Sequence, residues 1–209
     1  MSFLLKFSSL IDRLNQTVGR AVAWLTLLVV VVSATNAIIR KIFSVSSNAW
    51  LELQWYLFGA IFLLAAGYTF LRNEHVRVDV VAQRFTRKTQ IYIEIIGVVF
   101  FLLPACLLVF WLSIPYFYKS YVLLEQSSNT GGLIRWPVKL LIPVGFGLLI
   151  LSGVSHLIKC IGFLQGRCPD PLAQAEAMQK AEVNAADVIR QHAEEKLEQQ
   201  RQHIGKGAV

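Results

Sequence analysis

The sequence predicts an all-α integral membrane protein: four transmembrane helices, preceded by an N-terminal amphipathic surface helix and followed by a charged C-terminal helical tail. Three observations carry this. The 209 residues are 55% hydrophobic and only 16% charged, whereas a soluble domain has about a quarter charged residues. The apolar residues gather in four blocks, about 21–39, 50–71, 91–116 and 138–158, each near or above the roughly 20 helical residues that cross about 30 Å of hydrocarbon. Finally, "AVAWLTLLVVVVSAT", Ala21 to Thr35, lacks the polar face that a soluble bundle helix keeps for water. A β-barrel would need many shorter alternating segments, and these are absent.

Residues 1–20 are too polar to cross, but Leu4, Phe7, Leu10, Ile11, Leu14 and Val18 recur three or four apart. That spacing predicts a helix lying on the membrane surface, with Lys6 and Arg13 reaching headgroups. The four-span domain then covers 21–162. Its second span opens with Trp50, Trp55 and Tyr56, placed as interfacial anchors, and with Glu52 and Gln54 in its first turns. The third span has Glu94 near its start and Pro104 and Pro115 inside it; Pro104 lacks an amide donor and should bend the helix or free a carbonyl. Between spans three and four, "SSNTGG" breaks any helix, and Arg135-Trp136 suits a membrane surface, with Trp136 a third anchor. The fourth span carries Lys139, Pro143, Gly145, Gly147 and Gly153; its small residues allow close helix approach. Residues 163–209 form the charged tail, a water-exposed helix with a narrow stripe of Met178, Ala181, Ala185, Ile189, Ala193 and Leu197.

The net charge is +7, and its placement orients the chain. Counted through Arg167, with the rest of the tail left aside, ten Lys/Arg lie on the side of the termini and the 72–90 connection, against five opposite: Arg40, Lys41, Lys119, Arg135 and Lys139. The positive-inside rule puts both termini in the cytoplasm. Once the spans are removed no compact basic module remains, which argues against nucleic acid as a partner. "VSA", Val32 to Ala34, loosely suits a signal peptidase, but the preceding apolar run is long and a basic pair follows it, so an uncleaved span is expected.

Catalysis would need a constellation, and the chain offers none. His75, His156, His192 and His203 are scattered, and there is no zinc-protease motif, nucleophile elbow, P-loop or dinucleotide fingerprint. Cys106 reads as a small hydrophobe, while Cys160 and Cys168 lack metal-site spacing. No cofactor or metal is expected on this chain. The ionisable groups Glu52, Glu94, Arg72 and Lys139 sit near span ends rather than at mid-membrane, which fits an accessory or scaffold subunit better than a pore. The alternative is a stand-alone membrane enzyme or electron-transfer subunit, which would need facing histidines or converging carboxylates inside the bundle.

In "NEHVRVD", Asn73 to Asp79, His75, Arg77 and Asp79 alternate with valines. The stretch is either a solvated interfacial loop or a structured corner between two helices, with Arg72 and Arg77 bonding Glu74, Asp79 or lipid phosphates.

Glu52 to Val80, "ELQWYLFGAIFLLAAGYTFLRNEHVRVDV", resembles the central signature of the small membrane (DctQ-like) subunit of tripartite ATP-independent periplasmic (TRAP) transporters. Glu125 to Gly153, "EQSSNTGGLIRWPVKLLIPVGFGLLILSG", is similar to that family's other recurring stretch, and the likeness covers about residues 8–162. Within it the chain looks closest to a branch labelled mannitol or chloroaromatic transport. The resemblance implies a non-catalytic subunit of a bacterial inner-membrane importer of small organic acid anions. It implies as partners a large membrane subunit, in which sodium coupling resides, and a periplasmic substrate-binding protein, besides membrane lipid. The small subunit would enlarge the stationary scaffold and help form the periplasmic docking surface. Glu52 and Gln54 match the family's polar pair, and His75, Arg77 and Asp79 match its cytoplasmic motif. With Arg72 these are the candidate subunit-interface or structural residues. Glu125, Ser127, Asn129 and Gly132 match its periplasmic stretch and, with Arg135, are the candidate docking residues. Glu52 is either a wet helix end or the partner of an Arg or Lys across a subunit boundary. Residues 127–132 either seat a partner or make an ordinary turn.

Overall fold

The computed structural model describes residues 2–44, 47–72 and 85–206. The corner that contains His75, Arg77 and Asp79 lies outside the described residues. Four helices within the described residues are long and apolar enough to cross a membrane. They are α1 (Ser2–Phe43), α2 (Asn48–Arg72), α3 (Arg87–Val122) and α4 (Trp136–Leu164). A charged helix, α5 (Pro171–Lys206), ends the chain and forms a compact unit of its own. Along α5 Arg190 bonds Glu194 one turn on, at 3.0 Å, and Ile189 is exposed.

α1 runs through the expected division at residue 20. The surface helix and the first span are one uninterrupted helix of 42 residues. The reason lies in its packing. The buried face is Ser8, Ile11, Asn15, Val22 and Val29, a stripe at helical spacing that runs through both halves. The apolar positions expected to enter the membrane surface mostly point outward: Leu4, Phe7, Leu10 and Leu14 are exposed, and Ile11 alone of the larger ones is buried. Small polar side chains, Ser8 and Asn15, therefore belong to the inner face. Gly19 lies inside this helix, and its absent Cβ makes room for the Tyr68 ring.

α3 contains one irregularity, a π-helical turn at Val98–Leu102 that ends two residues before Pro104. There the Leu103 amide reaches back five residues to the Val98 carbonyl. Proline lacks the amide that would serve the carbonyl four residues earlier, and a one-residue widening of the turn is a standard accommodation.

α4 is the hub, packed against α1, α2 and α3, while α1 also packs on α2. Between apolar helices in lipid, association depends on close packing and hydrogen bonds rather than on hydrophobic burial. Most buried positions of α4 are accordingly small: Gly145, Ser152, Gly153, Ser155, Cys160 and Gly162, alongside Lys139, Pro143 and Leu148. The α2–α4 crossing is backbone on backbone. A Cβ on Gly145 would stand 2.6 Å from the Leu63 carbonyl oxygen, and one on Gly67 would stand 3.1 Å from that of Leu148. Ser152 donates to the Gly67 carbonyl at 2.9 Å across the same crossing.

Candidate functional site

At one end of the bundle, residues 123–135 fold into a short hairpin over the start of α2. Its strands meet at the antiparallel bridge between Gln126 and Ile134. The Arg135 amide donates to the Glu125 carbonyl at 2.8 Å and the Ser127 amide to the Leu133 carbonyl at 3.1 Å. The tip closes with the Gly132 amide on the Asn129 carbonyl, and Gly131 takes the positive φ of +72° that such a turn needs at its third position.

What fixes the hairpin to the membrane helices is Glu52. Its carboxylate, 6% exposed, accepts from the Ser127 hydroxyl, from Asn129 Nδ2 at 2.9 Å and from the Leu133 amide at 2.7 Å. Gly132 leaves room for this, since a Cβ there would lie 2.8 Å from Glu52 Oε2 and 2.4 Å from the Ser127 Cβ. Asn48, at the first position of α2, adds a bond to the Thr130 carbonyl at 3.0 Å. Glu52 is thus not a wet helix end: both oxygens serve as an anchor inside the chain. A carboxylate that accepts several donors in a desolvated setting makes strong, charge-assisted bonds.

A second set of contacts closes the base of the hairpin. Lys139, one turn into α4, bonds Glu125 and lies 4.1 Å from the Tyr116 ring centroid. Arg135 approaches Glu125 at 3.9 Å and donates to the Ser128 hydroxyl at 3.3 Å. Trp136 packs edge-on against Tyr121, with centroids 5.5 Å apart. The hydrogen bond from Lys139 holds the Glu125 carboxyl below the ordinary carboxylate range. Because the folded value is the lower one, the stabilisation is complete above about pH 4.3 and is lost as pH falls through the folded value. Thermal midpoints of wild type and Glu125→Gln should therefore differ at pH 7 and converge as pH falls through the folded value. Curves that stay parallel would show that the ion pair contributes nothing.

Between hairpin and helices opens a cleft of about 420 Å³, lined in part by Trp55, Tyr56, Tyr116, Arg135 and Lys139. Trp55 is 71% exposed beside it and Trp50 is also exposed. The structure therefore brings together Glu52, Glu125, Ser127, Asn129, Gly132 and Arg135. Gln54 does not join them; it faces α1 beside Arg40 and Lys41. Arg72 sits at the other end of α2, with its guanidinium 5.2 Å from the Tyr68 ring centroid.

At that other end the structure joins residues that sequence reasoning left apart. Asp12 of α1 pairs with Lys159 of α4 at 2.5 Å and accepts from Ser155 at 2.7 Å. Ser155 also meets Ser8, with hydroxyl oxygens 2.7 Å apart. His156 Nε2 lies 3.4 Å from Glu94 and 3.4 Å from the buried Cys160 sulfur, with its ring against Phe70. The helical spacing of Ser155, His156 and Lys159 was the one available signal, but it gave no hint of their partners on α1 and α3. These contacts tie three helices to α4 and also fix chain direction, because Asp12 near the start of α1 meets Lys159 near the end of α4.

Among the described residues, no group of three or more His, Cys, Asp or Glu side chains is arranged to hold a metal. The chain matches no curated protein and no solved structure at a significant level. Residues 29–162, more than half of the chain, match the family described as tripartite ATP-independent periplasmic transporters, DctQ component. The match spans about the last third of α1, all of α2 and α3, the hairpin and nearly all of α4, so this multi-pass membrane protein belongs to the DctQ family, the non-catalytic small subunits of TRAP transporters.

Proposed function

We propose that the chain is the membrane scaffold of a sodium-coupled, binding-protein-dependent importer of small organic acid anions in a bacterial inner membrane. It supports the large transport subunit and offers the 123–135 hairpin to the periplasmic binding protein. Both termini face the cytoplasm, an orientation supported by the ten-to-five distribution of Lys/Arg. The observation that carries this reading is the anchoring of the hairpin. A surface loop that docks a partner binds more tightly when it is already ordered, and Glu52 orders this one through three donors from Ser127, Asn129 and Leu133. In this reading Glu125 and Arg135 form the charged base of the docking surface, and Trp50, Trp55 and Trp136 set its height at the membrane interface. Arg72, His75, Arg77 and Asp79 belong to the opposite, cytoplasmic side, where they contact the large subunit or lipid phosphates.

The test is co-purification from native membranes in mild detergent, with mass spectrometry of all that is retained. The expected result is a large multi-span permease in fixed ratio, together with binding-protein-dependent uptake of an organic acid after reconstitution. A chain that purifies alone, with bound haem or quinone, would replace this reading with an electron-transfer one.

A further inference from the structure

The hairpin end of the bundle carries five cations, Arg40, Lys41, Lys119, Arg135 and Lys139, and only two carboxylates, Glu52 and Glu125. Both carboxylates are engaged. Glu52 holds the hairpin, and Glu125 faces Lys139 and Arg135. Arg40 and Lys41, in the last turn of α1, face no carboxylate among the described residues. They stand instead at the mouth of an open cleft of about 510 Å³ between the end of α1 and the start of α2. Ser33 and Asn36 line it below Arg40 on α1, and Leu51 and Gln54 line it on α2. A cation at a helix C-terminus is favoured by the backbone dipole. That preference accounts for one basic residue in the last turn, but not for a cleft with amide and hydroxyl groups set up to two turns deeper.

We propose that this cleft is a binding site for the phosphodiester headgroup of an anionic phospholipid. The depth profile is that of a lipid. Arg40 and Lys41 stand at headgroup level to meet the phosphate, and Asn36 and Gln54 below them offer amide donors to ester oxygens. Ser33, two turns before Arg40 on α1, leads toward hydrocarbon, and Ile38 is exposed on the flank of α1. Cations near a membrane surface attract anionic lipid strongly, each contributing independently. The bound lipid would fill the gap between α1 and α2 at the end where the hairpin is mounted and so stiffen that mounting.

The experiment uses the full chain purified in neutral detergent, with the thermal midpoint followed as phosphatidylglycerol, phosphatidylcholine or inorganic phosphate is titrated in. Phosphatidylglycerol should raise the midpoint and the other two should not. The Arg40→Gln/Lys41→Gln variant should bind phosphatidylglycerol about thirtyfold more weakly. Ser33→Leu, which fills the foot of the cleft and leaves both cations, should also weaken it, and Lys6→Gln/Arg13→Gln at the other end should not. Native mass spectrometry of wild type and Ser33→Leu, counting retained phosphatidylglycerol, decides the matter even if the double variant fails to fold. Equal phosphatidylglycerol binding by wild type and the cleft variants would overturn the proposal. An effect of inorganic phosphate alone would make this a free-anion site. No lipid preference in wild type, with loss of the large subunit from the double variant, would assign the cations to a protein carboxylate instead.

Discussion

Glu52→Ala should release the hairpin without unfolding the bundle. The substitution removes the acceptor of three bonds and leaves the Leu133 amide and the Asn129 and Ser127 side chains facing a gap. A donor left unpaired away from water costs more than its bond contributes, and that cost falls on the half-buried Ser127 and Leu133 rather than on the exposed Asn129. The expected result is rapid hydrogen exchange at residues 127–133, with the amides of α2 and α4 still protected. The thermal midpoint should drop by roughly 5 °C or more. Glu52→Gln separates charge from shape: its carbonyl can still accept, but its amide group must face one of the donors, so protection should be intermediate. The functional readout divides assembly from docking. In the proposed complex, Glu52→Ala should keep the large subunit in fixed ratio and still lose binding-protein-dependent uptake, by about tenfold or more. Unchanged exchange in the hairpin would show that the loop is held by its own turn and by Glu125. Loss of the large subunit along with uptake would move Glu52 to the subunit boundary.

The four membrane helices were legible because hydrocarbon imposes one rule on every residue of a span, and 20-residue apolar blocks satisfy it in few ways. The hairpin turn was legible too, since two adjacent glycines after Asn129 and Thr130 mark a chain reversal locally. What was not legible is long-range. The partners of Glu52 lie 75 to 81 positions away, and nothing in the composition around "LELQW" names them. The contacts of Asp12 with Lys159 and of Glu94 with His156 were missed for the same reason. The start of the first span failed differently. Ser8 and Asn15 look like the water side of a surface helix, yet in a membrane bundle small polar residues are what adjoining helices bury. Binary patterning inverts there: polar positions face in and Leu4, Phe7, Leu10 and Leu14 face out. A sequence pattern gives the period of the helix, and the medium decides which stripe turns inward.

The same small-residue logic yields the sharpest test of the packing, because Gly145 and Gly147 lie two positions apart on α4 and should respond to alanine with opposite sign. At Gly145 the new methyl would stand 2.6 Å from the Leu63 carbonyl oxygen and 2.9 Å from its carbon, both backbone atoms of α2 that cannot rotate away. The helices must separate, which stretches the Ser152 bond to the Gly67 carbonyl at the same crossing. Overpacking of this kind costs roughly 1–3 kcal/mol, so Gly145→Ala should lower the thermal midpoint in detergent by several degrees, and Gly145→Val should prevent accumulation of the folded chain. At Gly147 the nearest atoms to a new methyl belong to the Phe110 ring at 3.5 Å, an ordinary contact. There the alanine only relieves the conformational freedom of glycine, worth roughly 0.5–1 kcal/mol in a helix, so Gly147→Ala should be neutral or stabilising. Because α4 also carries Lys139 and abuts the hairpin base, the Gly145 variants should loosen protection at residues 125–135 as well, while Gly147→Ala leaves it intact. Equal midpoints for the two alanine variants would mean that α2 and α4 do not cross backbone to backbone at Gly145, and the scaffold would have to be held together at the polar contacts of its two ends.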